Sequence, residues 1–194
     1  MSDWLVVADL TDEPDLRAGL ARASAAGLTH VAVAPRLDRP TADLEALADA
    51  GVVVWGVRLG DGMDEPTGEE RAASLARLRL EIADAAVLGA ARVWLRAGAH
   101  REDVFVAGCE LLAAQAARRM MRLAVEPRPG SLLPDAERAL AWLRAREGID
   151  LILPDDERRR AAEAGARLAA VRSGSVLLVP AQSPHTSSST SSET

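Results

Sequence analysis

Glu126 is the residue of this sequence whose setting is best suited to chemistry. The apolar residues 121–125 read as a β-strand, and the prolines that follow Glu126 cannot donate the hydrogen bonds of a strand ladder. Core packing does not readily explain why a strand ends on a charged residue. We therefore predict that Glu126 acts as a general acid or base, with an ion pair to Arg96 or Arg128 as the structural alternative.

Arginine ends four of the predicted strands, and no lysine occurs among the 23 basic residues. Strand side chains alternate between two faces of the sheet. These arginines share a face with small residues, whereas bulkier residues such as Trp55 lie on the opposite face. We expect the guanidinium groups to converge inward and bind a carboxylate or phosphate, the alternative being chance placement in an arginine-rich chain. Trp94, on the same face as Arg96, either walls this pocket or fills the core. The four arginines are Arg36, Arg58, Arg96 and Arg128.

Four further polar residues follow predicted strands. His100 comes after the fourth predicted strand. We expect its imidazole to shuttle protons near neutral pH, the alternative being a solvated loop residue. Asp155 and Asp156 follow the sixth strand, and either joins the site or caps the next helix. Asp9 ends the first strand and is assigned to the site in preference to a capping role.

Composition narrows the class of protein. The 194 residues suit one domain, assigned to residues 1–181, and the Ser/Thr-rich residues 182–194 read as a disordered tail. A net charge of -6 argues against nucleic acid as a partner. The absence of lysine excludes Schiff-base chemistry, and the single cysteine excludes an internal disulfide. No signal peptide or membrane span is recognisable, so a cytoplasmic protein is expected.

Strand and helix patterns alternate along the chain, which predicts a parallel α/β sheet. Four of the predicted helices are followed by a glycine, the usual helix stop signal. The predicted strands are residues 4–8, 30–34, 52–57, 92–96, 121–125, 149–153 and 175–179. The predicted helices are residues 15–27, 41–50, 69–88, 102–119, 134–146 and 156–170.

A barrel is favoured over a doubly wound sheet. The first strand lacks the glycine-rich turn of a dinucleotide site, and polar residues end nearly every strand, as they do around a barrel mouth. The chain is short for eight units, because such barrels usually need about 250 residues. We therefore predict a TIM-type (β/α) barrel, truncated or atypical with about seven βα units. A homodimer that covers the missing eighth unit is a further expectation.

The sequence resembles the sugar phosphate isomerase/epimerase superfamily, the xylose-isomerase-like TIM barrels. The resemblance lies in Ala124-Val-Glu-Pro-Arg-Pro-Gly-Ser131, in Leu151-Ile-Leu-Pro-Asp-Asp156 and in the helix at 71–88 with the segment after it. It implies a divalent cation (Mg²⁺, Mn²⁺ or Zn²⁺) held by four side chains, of which Glu126 matches the first and Asp155 or Asp156 the second. The family's histidine and its eighth-strand glutamate have no counterpart here, so a metal-independent form is expected as well.

These observations favour an isomerase, epimerase or lyase that moves a proton on a small anionic, oxygenated metabolite. In this reading Glu126 moves the proton, Arg96 and Arg128 hold the anionic group, and Asp155 or Asp156 assists. The competing interpretation is a degenerate barrel that binds a ligand or partner without catalysis. A nuclease of the same barrel type is disfavoured by the negative charge and by the presence of only 3 histidines.

Overall fold

Eight strands close into a barrel in the order of the chain in the computed structural model, which describes residues 4–34, 40–61, 63, 68–98, 101–154 and 168–180. The predicted α/β barrel class is confirmed. The strands are β1 (Trp4–Asp9), β2 (His30–Val33), β3 (Val53–Arg58), β4 (Arg92–Arg96), β5 (Arg122–Glu126), β6 (Ile149–Pro154), β7 (Leu168–Ser173) and β8 (Val176–Pro180). The helices are α1 (Leu16–Ala25), α2 (Pro40–Ala50), α3 (Gly68–Val87), α4 (Glu102–Ala117) and α5 (Ala136–Arg144).

The last two strands correct the prediction of seven strands. Residues 168–170 were expected to end a helix, but they begin β7, and the strand predicted at 175–179 is the eighth. β8 runs antiparallel to both β7 and β1. Gly174 turns the chain between β7 and β8 with φ 58°, and such a hairpin needs far fewer residues than a parallel crossover. The sheet therefore closes in a short chain, and the open edge on which the expected homodimer was based is absent.

Trp94 fills the middle of the barrel interior. Its side chain is 0% exposed, and Ala124 lies opposite it on β5. A Cβ added at Gly56 on β3 would lie only 3.0 Å from the indole, so the glycine makes room for it. The small residues that were expected to leave space below the arginines therefore pack around one large side chain.

Trp55 also lies in the interior of the barrel. The sequence analysis had instead placed it on the outer face, under the helices. The pairing of β2 with β3 shifts between Val31 and Ala32, which leaves Trp55 as an extra residue. Its ring centroid lies 6.0 Å from that of Trp94. Simple alternation along β3 fails at this bulge and resumes at Gly56, so Arg58 faces the mouth as predicted.

Two helices begin at a capping aspartate, and four helix ends are followed by a glycine. Asp15 caps α1 by accepting a hydrogen bond from the backbone N–H of Ala18, and Asp135 caps α5 by accepting one from Arg138. The glycines predicted to stop four helices all have positive φ. In the part of the chain that the structure describes, no helix combines the length and the apolar character needed to cross a membrane.

Charged side chains close the amino-terminal end of the barrel. Asp150 of β6 is 0% exposed and accepts two hydrogen bonds from Arg122 of β5, at 2.6 and 2.7 Å. The Nε of Arg92 on β4 lies 3.8 Å from the same carboxylate, and its guanidinium carbon lies 5.7 Å from the Trp55 ring centroid. The described residues therefore plug the interior at this end, which leaves the opposite end for a site.

Candidate functional site

Polar side chains from five strands and one loop meet at the carboxyl-terminal end of the barrel. They form a closed chain of contacts, which we call the mouth ring. This is the end at which enzymes with such barrels place their active sites. The mouth ring consists of Asp9, Thr11, Asp12, Arg58, Arg96, Glu126 and Arg172.

Arg172 joins the two most buried carboxylates of the mouth ring. Its Nε donates to Oε1 of Glu126 at 2.5 Å, and Nη2 lies 3.3 Å from Oε2 of the same residue. The third guanidinium nitrogen, Nη1, makes an ion pair with Oδ2 of Asp9. One guanidinium from β7 therefore bridges β5 and β1, with only 20% of its side chain exposed.

The loop after β1 continues the mouth ring. The hydroxyl of Thr11 donates to Oδ1 of Asp9 at 2.7 Å and accepts from Nη1 of Arg58 at 3.0 Å. Arg58 Nη2 donates to the Thr11 carbonyl oxygen and, at 2.7 Å, to Oδ1 of Asp12. Asp12 is the accessible member of this group, because 67% of its side chain is exposed. The Arg58 guanidinium lowers the pKa of the Asp12 carboxyl.

Arg96 completes the mouth ring. Its Nη2 lies 3.3 Å from Oδ2 of Asp12, and its Nε lies 3.8 Å from Oε2 of Glu126. The pairing of β4 with β5 sets Arg96 opposite Glu126. The mouth ring thus contains three guanidinium groups and three carboxylates, so its formal charges cancel.

Burial dominates the electrostatics of Glu126. Only 11% of its side chain is exposed, and this burial raises the pKa of the carboxyl above its ordinary value of 4.5. The nearby guanidinium of Arg96 opposes the rise in pKa, as does the Trp94 indole below it. The Arg172 guanidinium, which donates to both carboxylate oxygens, also favours the ionised form. A carboxyl with a raised pKa exchanges protons nearer to neutral pH than an exposed glutamate does, which is the property that an acid–base catalyst needs.

A small cleft lies beside Arg96, lined by residues after β3, β4 and β5. Its volume is about 20 Å³, which is room for roughly one water molecule. Arg128 lies at this cleft and is exposed, and it makes no ion pair with another residue that the structure describes. Arg128 is therefore at the mouth, as predicted, but outside the mouth ring, because the chain leaves the strand at Pro127 and alternation no longer applies.

Glu81, which the sequence did not single out, holds the edge of this cleft. Its buried carboxylate accepts from the backbone N–H of Gly60 at 2.7 Å and from Arg77 Nη1 at 2.6 Å. Because Gly60 lies just after β3, this contact ties the loop at the mouth to α3. The sequence signal was a glutamate on the helix face that also carries Leu78, Ile82 and Ala85.

The predicted site residues have different outcomes. Glu126, Arg58, Arg96 and Asp9 lie together in the mouth ring. Trp94 is fully buried below it, and its Nε1 makes no hydrogen bond of normal geometry with the described residues. The remaining candidates lie outside the described residues: Arg36, His100, Asp155 and Asp156.

Three members of the mouth ring escaped the sequence analysis. Arg172 was missed because residues 168–170 were assigned to a helix, so no strand was available to carry it. Thr11 and Asp12 belong to a loop, where no periodicity indicates which way a side chain points. The polar segment Asp9-Leu-Thr-Asp-Glu13 directly after a strand was the available signal.

Comparison with known proteins identifies structures with a similar fold. No protein-family model and no curated protein matches the sequence. Among solved structures, a xylose isomerase-like TIM barrel protein from Mycobacterium smegmatis, in complex with magnesium, matches with a TM-score of 0.66 and 12% identity, over 85% of this chain and 71% of that one. A D-psicose 3-epimerase matches with a TM-score of 0.65 and 14% identity, over 84% of this chain and 68% of that one.

A sugar phosphate isomerase/epimerase from Parabacteroides distasonis is similar as well. Its TM-score is 0.64 at 13% identity, and the match covers 85% of this chain and 73% of that one. Identities this low show the fold and not the activity. The expected resemblance is confirmed at that level: this chain has the fold of the xylose isomerase-like TIM barrels.

Proposed function

We propose that this protein is an isomerase or epimerase that moves a proton on a small anionic sugar-like, keto-acid or hydroxy-acid metabolite. The observation that carries the proposal is the buried Glu126 carboxyl, with its raised pKa, among three arginines at the barrel mouth. The neighbouring structures include sugar epimerases and isomerases, which supports a reaction of this type.

Proton transfer by Glu126 is the central step of this proposal. The ionised carboxylate takes a proton from a carbon next to a carbonyl group, and the electron pair of the C–H bond moves to the carbonyl oxygen. The enediolate formed is negatively charged, and the guanidinium groups of Arg96 and Arg172 lie beside the Glu126 carboxylate, where a positive charge stabilises it. Return of the proton to the neighbouring carbon, with transfer of the hydroxyl proton from the oxygen on the original carbon to the former carbonyl oxygen, gives isomerisation. Protonation of the original carbon from the other face, by a second donor such as water, gives epimerisation.

The anionic group of the substrate needs a cation that is not already neutralised. Arg128 meets this requirement among the described residues, since it is exposed at the cleft without an ion pair. Arg58 and Arg96 are held by Asp12, whose exposed carboxylate lies between them. We infer that Asp12 holds these two arginines in place until a substrate carboxylate or phosphate takes its position.

Asp12→Asn is expected to tighten anion binding by up to about fivefold, because an exposed ion pair is worth about 0.2–1 kcal/mol. Calorimetric titration with inorganic phosphate at low ionic strength measures the effect. Asp49→Asn is the matched control, since it removes an equal charge from the exposed pair with Arg17. Unchanged or weaker phosphate binding by Asp12→Asn would contradict the displacement of Asp12.

The proposed reaction is tested by hydrogen exchange with the solvent. Wild-type protein in D₂O is incubated with matched pairs of compounds, such as a ketose and its phosphate or a keto acid and its ester, and the C–H signal next to the carbonyl is followed by NMR. We expect loss of that signal for anionic members of the pairs. If no compound exchanges faster than with heat-inactivated protein, the proton-transfer proposal is wrong.

Two observations favour a non-catalytic binding protein as the second candidate. The formal charges of the mouth ring cancel, and the cleft beside it admits about one water molecule, so the ion pairs could serve to hold the fold. Saturable anion binding at Arg128 without hydrogen exchange would distinguish this candidate from the enzyme.

A further inference from the structure

Among the residues that the structure describes, the donor set at the mouth does not fit the divalent cation that the fold family implies. Both oxygens of Glu126 face the Arg172 guanidinium, at 2.5 and 3.3 Å, and Oδ2 of Asp9 pairs with the same group. A bound Mg²⁺ would require these oxygens at about 2.0–2.1 Å from the ion. Across residues 4–34, 40–61, 63, 68–98, 101–154 and 168–180, no three potential ligands (His, Cys, Asp or Glu) are placed to hold a metal ion.

We propose that the Arg172 guanidinium is a built-in cation that bridges the carboxylates of Glu126 and Asp9 and excludes a divalent metal from the mouth. The geometry supports this, because one planar group satisfies two carboxylates that come from opposite sides of the mouth, on β5 and β1. Guanidinium is suited to such a role, since it stays protonated and presents its donors in a fixed fork.

The surrounding charges favour a fixed monovalent cation over a metal ion. A metal bound at Glu126 would lie close to Arg172 and Arg96, and like charges at a few ångströms repel each other strongly in a partly buried site. Displacing Arg172 would leave a largely buried guanidinium without its partners, which is costly. Asp9 is further held by the Thr11 hydroxyl, at 2.7 Å, so it is not free to turn toward a metal.

The consequence for the reaction concerns the negative charge that develops on the substrate. In metal-dependent catalysis the metal ion stabilises a developing oxyanion. In this protein the Arg172 guanidinium, held at the Glu126 carboxylate, supplies the positive charge instead. This catalytic part rests on the proposed function, whereas the exclusion of metal does not and is measured by binding alone.

Titration of the full chain with Mn²⁺, followed by electron paramagnetic resonance, tests the exclusion. Wild-type protein is expected to show no saturable binding that depends on Glu126. Arg172→Met, which keeps much of the side-chain volume and removes the charge, is expected to gain saturable Mn²⁺ binding. Its dissociation constant should lie at least about tenfold below the lower limit set by the wild-type titration, comparable to the effect of one nearby charge on an ionisation. Arg172→Met/Glu126→Gln is expected to lose this gain.

Two controls separate the role of the charge from general loosening of the barrel. Arg172→Lys keeps a cation and is expected to remain without Mn²⁺. Arg122→Met removes an arginine from a buried aspartate at the other end of the barrel and is expected to gain nothing. Stoichiometric Mn²⁺ in the wild type that is lost in Glu126→Gln would overturn the proposal without reliance on any Arg172 variant. A folded Arg172→Met that gains no Mn²⁺ would also overturn it.

Discussion

Glu126→Gln is expected to lower kcat by a factor of about 10²–10⁴ on any substrate found by hydrogen exchange, which is the usual contribution of a general acid–base group. Glutamine preserves the shape of the side chain and can still accept a hydrogen bond from Arg172, but it cannot take up the proton. Hydrogen exchange in D₂O should fall by the same factor, because both measurements depend on the same proton transfer. Steady-state kinetics and NMR exchange on the same preparations provide the comparison.

The pH profile of the wild type should carry the signature of the same carboxyl. Glu126 acts as a base only when ionised, so kcat/KM falls as the pH drops through its pKa. Burial raises that pKa, so the acidic limb should lie above pH 4.5, the ordinary value for glutamate. By linkage, the raised pKa means that the contribution of Glu126 to folding stability is fully present below its ordinary pKa and is lost as the pH rises through the raised value.

Asp150→Asn serves as the matched control for Glu126→Gln. It also alters a buried carboxylate that pairs with an arginine, but at the closed end of the barrel. Below its melting temperature, this variant should retain the kcat of the wild type. A Glu126→Gln protein that is folded and keeps more than about a tenth of wild-type kcat would remove Glu126 from the reaction, since even weak acid–base catalysis contributes more than this.

The sequence predicted the first six strands well because each is a short apolar run between clear stop signals. Strand β4 has the predicted bounds at both ends, and β5 is displaced by one residue. Alternation along these strands correctly placed Arg58 and Arg96 on the same face as Glu126. A regular strand fixes the direction of its side chains, so the inward group could be identified without the structure.

The prediction failed where regular alternation ends or where local preference conflicts with the fold. The alanine-rich residues 156–170 favour a helix when considered alone, but Ala169 and Ala170 are small side chains that fit beside Trp94 inside the barrel. The bulge at Trp55 and the turn after Glu126 each interrupt the two-residue period. For that reason Trp55 lies inside, and Arg128 lies outside the mouth ring.

Only part of the mouth ring could be predicted from the sequence. Its strand-borne residues follow from alternation, but the partner of each charge depends on which strands are neighbours across the mouth. Arg172 reaches Glu126 and Asp9 because β7 is followed by an antiparallel hairpin that brings β1 alongside. A parallel eighth strand ending in a glutamate, as the resemblance implies, would have brought a carboxylate to the mouth instead.

Asp150→Ala is expected to destabilise the fold by about 3–5 kcal/mol, the usual result of removing one partner from a buried ion pair. The reason is Arg92, whose side chain is only 9% exposed and has Asp150 as its neighbouring carboxylate at 3.8 Å. Without Asp150 this guanidinium remains buried and uncompensated, and burial already lowers its pKa. For a domain of this size the melting temperature should fall by roughly 6–20 °C.

Two possible causes of this loss of stability can be distinguished: the uncompensated charge of Arg92 and the loss of packing around residue 150. If the uncompensated charge of Arg92 dominates, Arg92→Met/Asp150→Leu should recover most of the stability, because replacing a whole buried ion pair with apolar groups is often neutral. Urea denaturation of the wild type, Asp150→Ala and this double variant measures the three free energies of unfolding. A loss below about 1 kcal/mol in Asp150→Ala would show that water reaches this end of the barrel and solvates Arg92. In that case the amino-terminal end would not be the closed plug on which the assignment of the site to the opposite end partly depends.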